Sequence, residues 1–404
     1  MHRVGADQRD PNRVIVFDTT LRDGEQAPGF SMSGEAKVEM AKALRDLGVD
    51  VIEAGFAAAS PGDADAVRRV AGEVEGPIMC SLSRANEEDI RTAYGALQSA
   101  PKRRLHIFLS TSPIHRAAKL NLSAEQVMET AVRSVSFART LFDDVEFSAE
   151  DAIRTEREFL GDIMEAVAEA GATTLNIPDT VGYSTPEEIG GIFAEISNKV
   201  ARFPDAIVSA HCHNDLGMAV ANTLSAVANG ARQVEVAING IGERAGNCAL
   251  EEVVMALRTR ADLFGVHTGI DTTKLVGASR LLSALTHSPV VRNKAVVGIN
   301  AFAHEAGIHQ HGMLADARTY EIMRPEDVGF EGTRLVLGKH SGRHAIAQRA
   351  EALGYRLSNN ELGQVFAGFK RRADEIGEID DSELTAIINA ATTDALEDRR
   401  VAAT

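Results

Sequence analysis

From Val14 to about Leu263 the chain alternates between short runs rich in β-branched residues and longer stretches of helical periodicity. No other feature of the 404 residues constrains the fold as strongly. Strands are expected at Val14–Phe17, Val51–Ala54, Ile78–Ser81, Leu105–Leu109, Val145–Ser148, Thr174–Ile177, Ile207–Ala210 and Val234–Ile238, each followed by a helical stretch. Eight βα units over roughly 250 residues are the size of a closed (β/α)8 TIM barrel and are long for a doubly wound sheet. Leu160, Ile163, Met164 and Val167 follow the spacing of one buried helix face. Ser123 to Gln126 and Thr185 to Glu188 read as capping boxes, the second with Pro186 at the first helical position. Gly48, Gly171 and Gly230 each fall between a helix and the next strand, where a left-handed residue ends a helix at low steric cost.

After Leu263 the alternation stops. The expected organisation is an α/β barrel over 1–268, then smaller C-terminal α-rich subdomains: a His- and Gly-rich linker over 269–324 carrying lid residues, and a second subdomain over 325–404 with a helix at Asn360–Ile376 and a polar tail. The first dozen residues lack an apolar core and no run of 18 apolar residues exists, so no membrane span is expected and the cytoplasm is the expected location. A net charge of −16 argues against a nucleic-acid surface. It also means that an anionic substrate would need a local positive focus. Cys80, Cys212 and Cys248 are too few and too odd for a disulfide framework.

The chemistry-bearing residues follow the strands. Arg22, Asp23 and Glu25 fall after the first strand, Glu53 at the second, Ser148 and Glu150 at the fifth, and Asn176, Asp179 and Thr180 at the sixth. His211, His213, Asn214 and Asp215 fall at the seventh, and Asn239, Glu243, Arg244 and Asn247 after the eighth, while His106 lies within the fourth. Carboxyl ends of barrel strands share one face, where barrel enzymes hold their active sites. His211-x-His213 sends two imidazoles to the same side of a strand. With Asp23 they form a two-histidine, one-carboxylate set that leaves room for substrate and suits Mn²⁺, Mg²⁺ or Zn²⁺. Cys212 points the other way and reads as a buried small residue. The turn Asn239-Gly-Ile-Gly-Glu-Arg-Ala-Gly-Asn247 lacks the Lys-Ser/Thr of a phosphate loop and reads as a tight loop that brings Glu243 and Asn247 towards the ion.

Asp18-Thr-Thr-Leu-Arg-Asp-Gly-Glu-Gln26, His211-Cys-His-Asn-Asp-Leu-Gly217 and the Asn239–Asn247 turn together resemble the DRE-TIM metallolyases. Ile177-Pro-Asp-Thr-Val-Gly-Tyr183 and His106-Ile-Phe-Leu-Ser-Thr-Ser-Pro-Ile-His115 are most similar to the 2-isopropylmalate synthases of that superfamily. The resemblance runs from Val14 to about Glu378. It implies a divalent ion, Mn²⁺ first, held by Asp23, His211 and His213 with Asn247 as a further ligand. It makes Arg22 the catalytic arginine and Glu53 the glutamate of the superfamily's name. It places His106, Ser148, Asn176, Pro178 and Thr180 around a 2-oxo acid, and Glu150 and His309 at the deprotonation of acetyl-CoA. Tyr320 matches an active-site tyrosine. In such relatives the region of His309 and Tyr320 reaches over the partner's barrel, so a homodimer is implied.

The activity that the resemblance implies is a Claisen condensation of acetyl-CoA with 2-oxoisovalerate, the acyltransferase step of leucine biosynthesis. The same site set would serve homocitrate, citramalate or methylthioalkylmalate synthesis, but nothing near Ile177–Val181 supplies a cation for a distal carboxylate. A retro-aldol lyase is disfavoured because the long region of His309 and Tyr320 resembles the synthases. A non-catalytic binding barrel would have lost at least one of Arg22, Asp23, His211, His213, Glu150 or His309, and all are present. His311 and Phe30 depart from the usual pattern: either could alter the site, and either suits an ordinary surface or loop position. The chain ends at Thr404, soon after the second subdomain, so the leucine-binding regulatory domain of full-length relatives and its inhibition by leucine are expected to be absent. Lys339-His340-Ser-Gly-Arg343 reads as a solvated turn, with CoA phosphates as the alternative, and Arg103 and Arg104 read as surface at the far end of the barrel.

Overall fold

The computed structural model describes residues 10–401 apart from 308, 310, 311, 314 and 315; His311 is therefore outside the described residues. The chain divides into two compact units, Met1–Val290 and Val291–Thr404. In the first, eight parallel strands close into a barrel in sequential order: β1 (Ile15–Asp18), β2 (Val51–Glu53), β3 (Ile78–Arg84), β4 (Arg103–Ser110), β5 (Val145–Glu150), β6 (Thr174–Asp179), β7 (Ile207–Cys212) and β8 (Gln233–Val236). The ring closes where β1 pairs with β8, Asp18 lying opposite Val236. The intervening helices are α1 (Gly34–Leu47), α2 (Pro61–Glu73), α3 (Glu87–Ala96), α4 (Ala124–Ala138), α5 (Arg157–Glu169), α6 (Pro186–Val200), α7 (Ala219–Ala228) and α8 (Leu250–Thr259).

All eight expected strands are present, with ends moved by up to three residues. Both capping boxes form, at Ser123 and Thr185. Gly48, Gly171 and Gly230 adopt φ of 92°, 108° and 111°. The first unit continues past the end of the βα alternation because α9 (Leu275–Thr286) buries Leu275, Val276 and Leu282.

Arg104 departs from its expected place on the surface. β4 starts at Arg103, two residues before the β-branched run, and alternation along the strand then turns Arg104 into the barrel, where it is fully buried. Its Nε donates to Asp144 at 2.9 Å, and its Nη1 donates to Glu146 at 3.1 Å and to Gln233 at 2.6 Å. Burial works against the charge, yet Asp144 and Glu146 hold the guanidinium protonated above its ordinary range.

The second unit contains α10 (Arg343–Ala352), α11 (Asn359–Ile376) and α12 (Asp381–Val401), with a two-stranded pair, Leu337–Gly338 against Glu378–Ile379. Its core includes Ile346, Val365, Phe369, Leu384 and Ile388. The segment read as a polar tail is helical because Asp380 accepts from the Glu383 amide at 2.8 Å and Leu384 and Ile388, four apart, are both buried. Burial of two such side chains contributes roughly 1.5–3 kcal/mol each.

Candidate active site and metal centre

The carboxyl ends of the strands surround a cavity of about 220 Å³ lined by Arg22, Asp23, His106, Ser148, Glu150, Asn176, Pro178, Thr180, His211 and His213. Of the first-unit residues that the resemblance assigns to the site, all line it except Glu53 and Asn247, which are buried against its lining. The other strand-end residues, Glu25, Asp179, Asn214, Asp215, Asn239, Glu243 and Arg244, do not line it. Arg22 and Asp23 sit in a single wide helical turn, Thr20–Gly24, that leaves β1. Asp18 at the end of β1 clasps that turn, accepting from the Thr20 amide and hydroxyl at 2.9 Å each.

Three ligand atoms converge. The Nε2 atoms of His211 and His213 are 3.1 Å apart, and each lies 3.7 Å from Asp23 Oδ2. A triangle of this size can come within about 2.0 Å of one shared point, close enough for all three atoms to hold one divalent ion. Desolvation holds the imidazoles neutral, lowering His211 to about 4 and His213, with the added repulsion of His211, to about 3. Burial opposes the charge of Asp23, but Arg22 and the two histidines keep it ionised below the usual carboxylate range. Asn247 pairs with His213 in an isolated bridge, and its buried Oδ1 has no hydrogen-bond partner. Two neutral nitrogen acceptors, a carboxylate and an orphaned amide oxygen are the donor set that a divalent cation requires.

The glycine-rich turn builds this corner. A Cβ on Gly242 would stand 2.3 Å from Asn247 Nδ2, so only glycine admits the amide there. Glu243 reaches the site through its backbone, its amide donating to Asp23 Oδ1 at 3.2 Å, while its side chain is exposed. Of the two residues expected to turn inward, Glu243 and Asn247, only Asn247 arrives by its side chain.

Arg22 is fixed from two sides, its Nε donating to Glu53 at 2.6 Å and its Nη1 to Asp23 at 3.0 Å. Despite burial, Arg22 and His106 draw Glu53 down to about 2. Glu53 in turn, against the desolvation of the ring, carries His106 up to about 8 across a 2.7 Å contact. His106 Nε2 meets Ser148 Oγ at 2.6 Å, and Asn176 Nδ2 donates to the same hydroxyl at 2.7 Å. Glu150 is held at the rim by Ser110 and by Lys119, whose Nζ lies 2.7 and 2.8 Å from its two oxygens. Thr180 accepts from the Asp151 amide at 2.9 Å.

His309 and Tyr320 belong to the second unit, where their ring centroids are 4.4 Å apart with His304 beside them. Both are exposed.

Residues 13–282 match the HMGL-like family, and 296–376 match the homocitrate synthase post-HMGL domain-like family. A 2-isopropylmalate synthase of Aquifex aeolicus is 57% identical over 377 residues, covering 93% of this chain and 72% of the relative. One from Caulobacter vibrioides is 55% identical over 390 residues, covering 96% and 74%. The chain belongs to the 2-isopropylmalate synthase family. Solved hydroxymethylglutaryl-CoA lyases from Pseudomonas aeruginosa and Brucella melitensis superpose with TM-scores of 0.59 and 0.58 at 21% and 20% identity. They cover 69% and 68% of this chain and 95% and 99% of their own, and share its fold.

In this 2-isopropylmalate synthase family member, the apolar side of the cavity is what sequence reasoning missed. Phe56, Leu82 and Phe108 line it, the two phenylalanines meeting edge to face at 6.4 Å. On strands or just beyond them, such residues look like ordinary core. Glu235 was also missed; a carboxylate inside an apolar strand was the available signal.

Proposed function

We propose that this 2-isopropylmalate synthase family member condenses acetyl-CoA with 2-oxoisovalerate, releasing CoA and 2-isopropylmalate as an acyltransferase of leucine biosynthesis. The observation that carries the reading is the Asp23–His211–His213 triangle opening on a cavity with Arg22 on one side and Phe56, Leu82 and Phe108 on another. A divalent ion held by Asp23, His211, His213 and Asn247 would supply Lewis-acid polarisation of the keto group, with Mn²⁺ as our choice of ion. Arg22, immobilised by Glu53 and Asp23, offers its outer N–H groups to the oxygen that gains charge as the new carbon–carbon bond forms. Ser148, Asn176, His106 and Thr180 orient the 2-oxo acid, and Pro178 shapes its floor. Glu150 takes the methyl proton of acetyl-CoA, and hydrolysis of the thioester completes the turnover. The apolar wall takes the branched side chain. Arg22 and His106 are the cations lining the cavity among the described residues, and both are already engaged by Glu53. A second carboxylate, as in 2-oxoglutarate, finds no counter-charge there.

His309 and Tyr320 complete the acid–base set in this reading, supplied across a homodimer. Mixing His309→Ala and Asp23→Asn subunits tests this: activity regained in the mixture supports cross-subunit supply, and two inactive parents with an inactive mixture oppose it. The three cysteines are buried free thiols, which suits a reducing cytoplasm. No helix among the described residues is long and apolar enough to cross a membrane.

The deciding measurement is thiol release from acetyl-CoA with a panel of 2-oxo acids, with Mn²⁺ or Mg²⁺ and then with chelator. 2-Oxoisovalerate is expected to exceed pyruvate and 2-oxoglutarate, with activity lost on chelation and regained with the ion. Equal rates across the panel overturn the acceptor, and activity that survives chelation overturns the ion.

A further inference from the structure

Glu235 on β8 lies directly across from His211 on β7. It is buried, and its Oε2 stands 2.9 Å from His211 Nδ1. The two are not in hydrogen-bond geometry with each other, so the pair is within reach but out of line. His106, Glu146 and Glu235 also bring ligand atoms within 4.8 Å of one another. That trio is committed elsewhere. His106 spends both ring nitrogens on Glu53 and Ser148, and Glu146 accepts from Gln233 at 2.8 Å and from Arg104 at 3.1 Å. Glu235 lies beside the Glu146 carboxyl, which shares its proton with it, and its oxygens also face the outer nitrogen of a histidine whose inner nitrogen points at the ion site. His213 has no equivalent: its Nδ1 is buried without a partner.

We propose that Glu235 is a positioning residue for the metal ion, its carboxylate accepting the Nδ1 proton of His211 and so fixing the tautomer that turns the Nε2 lone pair towards the ion. The inference rests on the metal reading above. A histidine ligand with a carboxylate behind it is oriented and made a stronger donor, and loss of such a partner weakens metal binding by about 10- to 100-fold. The two imidazoles are thus unequal ligands: His211 is held by charge, and His213 by the fold of the loop that Asn247 closes.

Mn²⁺ titration of the full chain, followed by the electron paramagnetic resonance signal of the free ion, separates the two readings. Wild type, Asp23→Asn, Glu235→Gln and Glu235→Asp are compared, with circular dichroism reporting the fold. Asp23→Asn is expected to lose binding. Glu235→Gln, which keeps the shape and removes the charge, is expected to weaken it by about 10- to 100-fold at an unchanged melting temperature, and Glu235→Asp to recover part of the loss. A Glu235→Gln affinity within twofold of wild type, beside an Asp23→Asn that no longer binds, overturns the positioning role and leaves the metal site standing. Wild-type affinity in Asp23→Asn overturns both. Should Glu235→Gln fail to fold, Glu235→Asp decides, and an unweakened affinity there counts against the proposal.

Discussion

The barrel holds two clusters of buried charge, and they differ in how many of their groups are left open. In the lower one, Arg104 joins Asp144, Glu146 and Gln233, and among the polar atoms of those four side chains only Arg104 Nη2 lacks a partner. In the upper one, the Nδ1 atoms of His211 and His213 and the amide oxygens of Asn176 and Asn247 are buried without hydrogen bonds. A buried polar group left unpaired costs about 1–3 kcal/mol. A closed network is what stability alone requires; an open one of this size is retained for something that binds to it.

The comparison is tested first by its largest expected effect. Asp23→Asn should lower kcat/KM by about 10³-fold or more, because the ion's several kcal/mol of transition-state stabilisation goes with it, while chemical denaturation changes little. Arg104→Met should do the reverse. It strands the buried Asp144 and Glu146, so urea denaturation should show a loss of about 3–5 kcal/mol, with kcat/KM of the folded protein within a few-fold of wild type. An inactive but fully stable Arg104→Met would collapse the distinction. Gly242→Ala should be milder, since the added carbon displaces Asn247: Mn²⁺ affinity should fall by about 10-fold, read by the same titration.

The smallest effect is a pH dependence. Burial raises Asp18 to about 7, against the Thr20 bonds that favour its charge. The folded chain then holds a proton on Asp18 that the unfolded chain has released above its ordinary value of 3.8. Stability from this group is present at low pH and is lost as pH rises through 7. Relative to Asp18→Asn, the wild type should lose about 1 kcal/mol between pH 6 and 7, measurable as melting temperatures of the pair.

The upper cluster was legible because its residues stand at strand ends in polar company: His211-x-His213, Arg22-Asp23 and the glycine-rich turn break the apolar runs that frame them. The lower cluster was hidden because strand starts have no such marker. Arg103 and Arg104 precede the β-branched run, and only the extra two residues of β4 reveal that one of them points inward. Phe56, Leu82 and Phe108 fail for the opposite reason, being apolar where apolar is ordinary. The last helix escaped although Leu384, Ile387, Ile388 and Ala391 carry the spacing of one packed face, because that stripe spans only two turns and stands among many polar residues.

The seam of the barrel passes through the ion site. Asp23 follows β1, and the Glu243 amide that binds it lies 220 residues further on, beyond β8. A ribosome that has released β1 through β7 has therefore made most of the ligands' scaffold and none of the finished site. On the proposed reading, the full ligand set is complete only once residue 247 has emerged and the last strand has zipped against the first, which makes an ion a late clasp on a ring that first closes by itself.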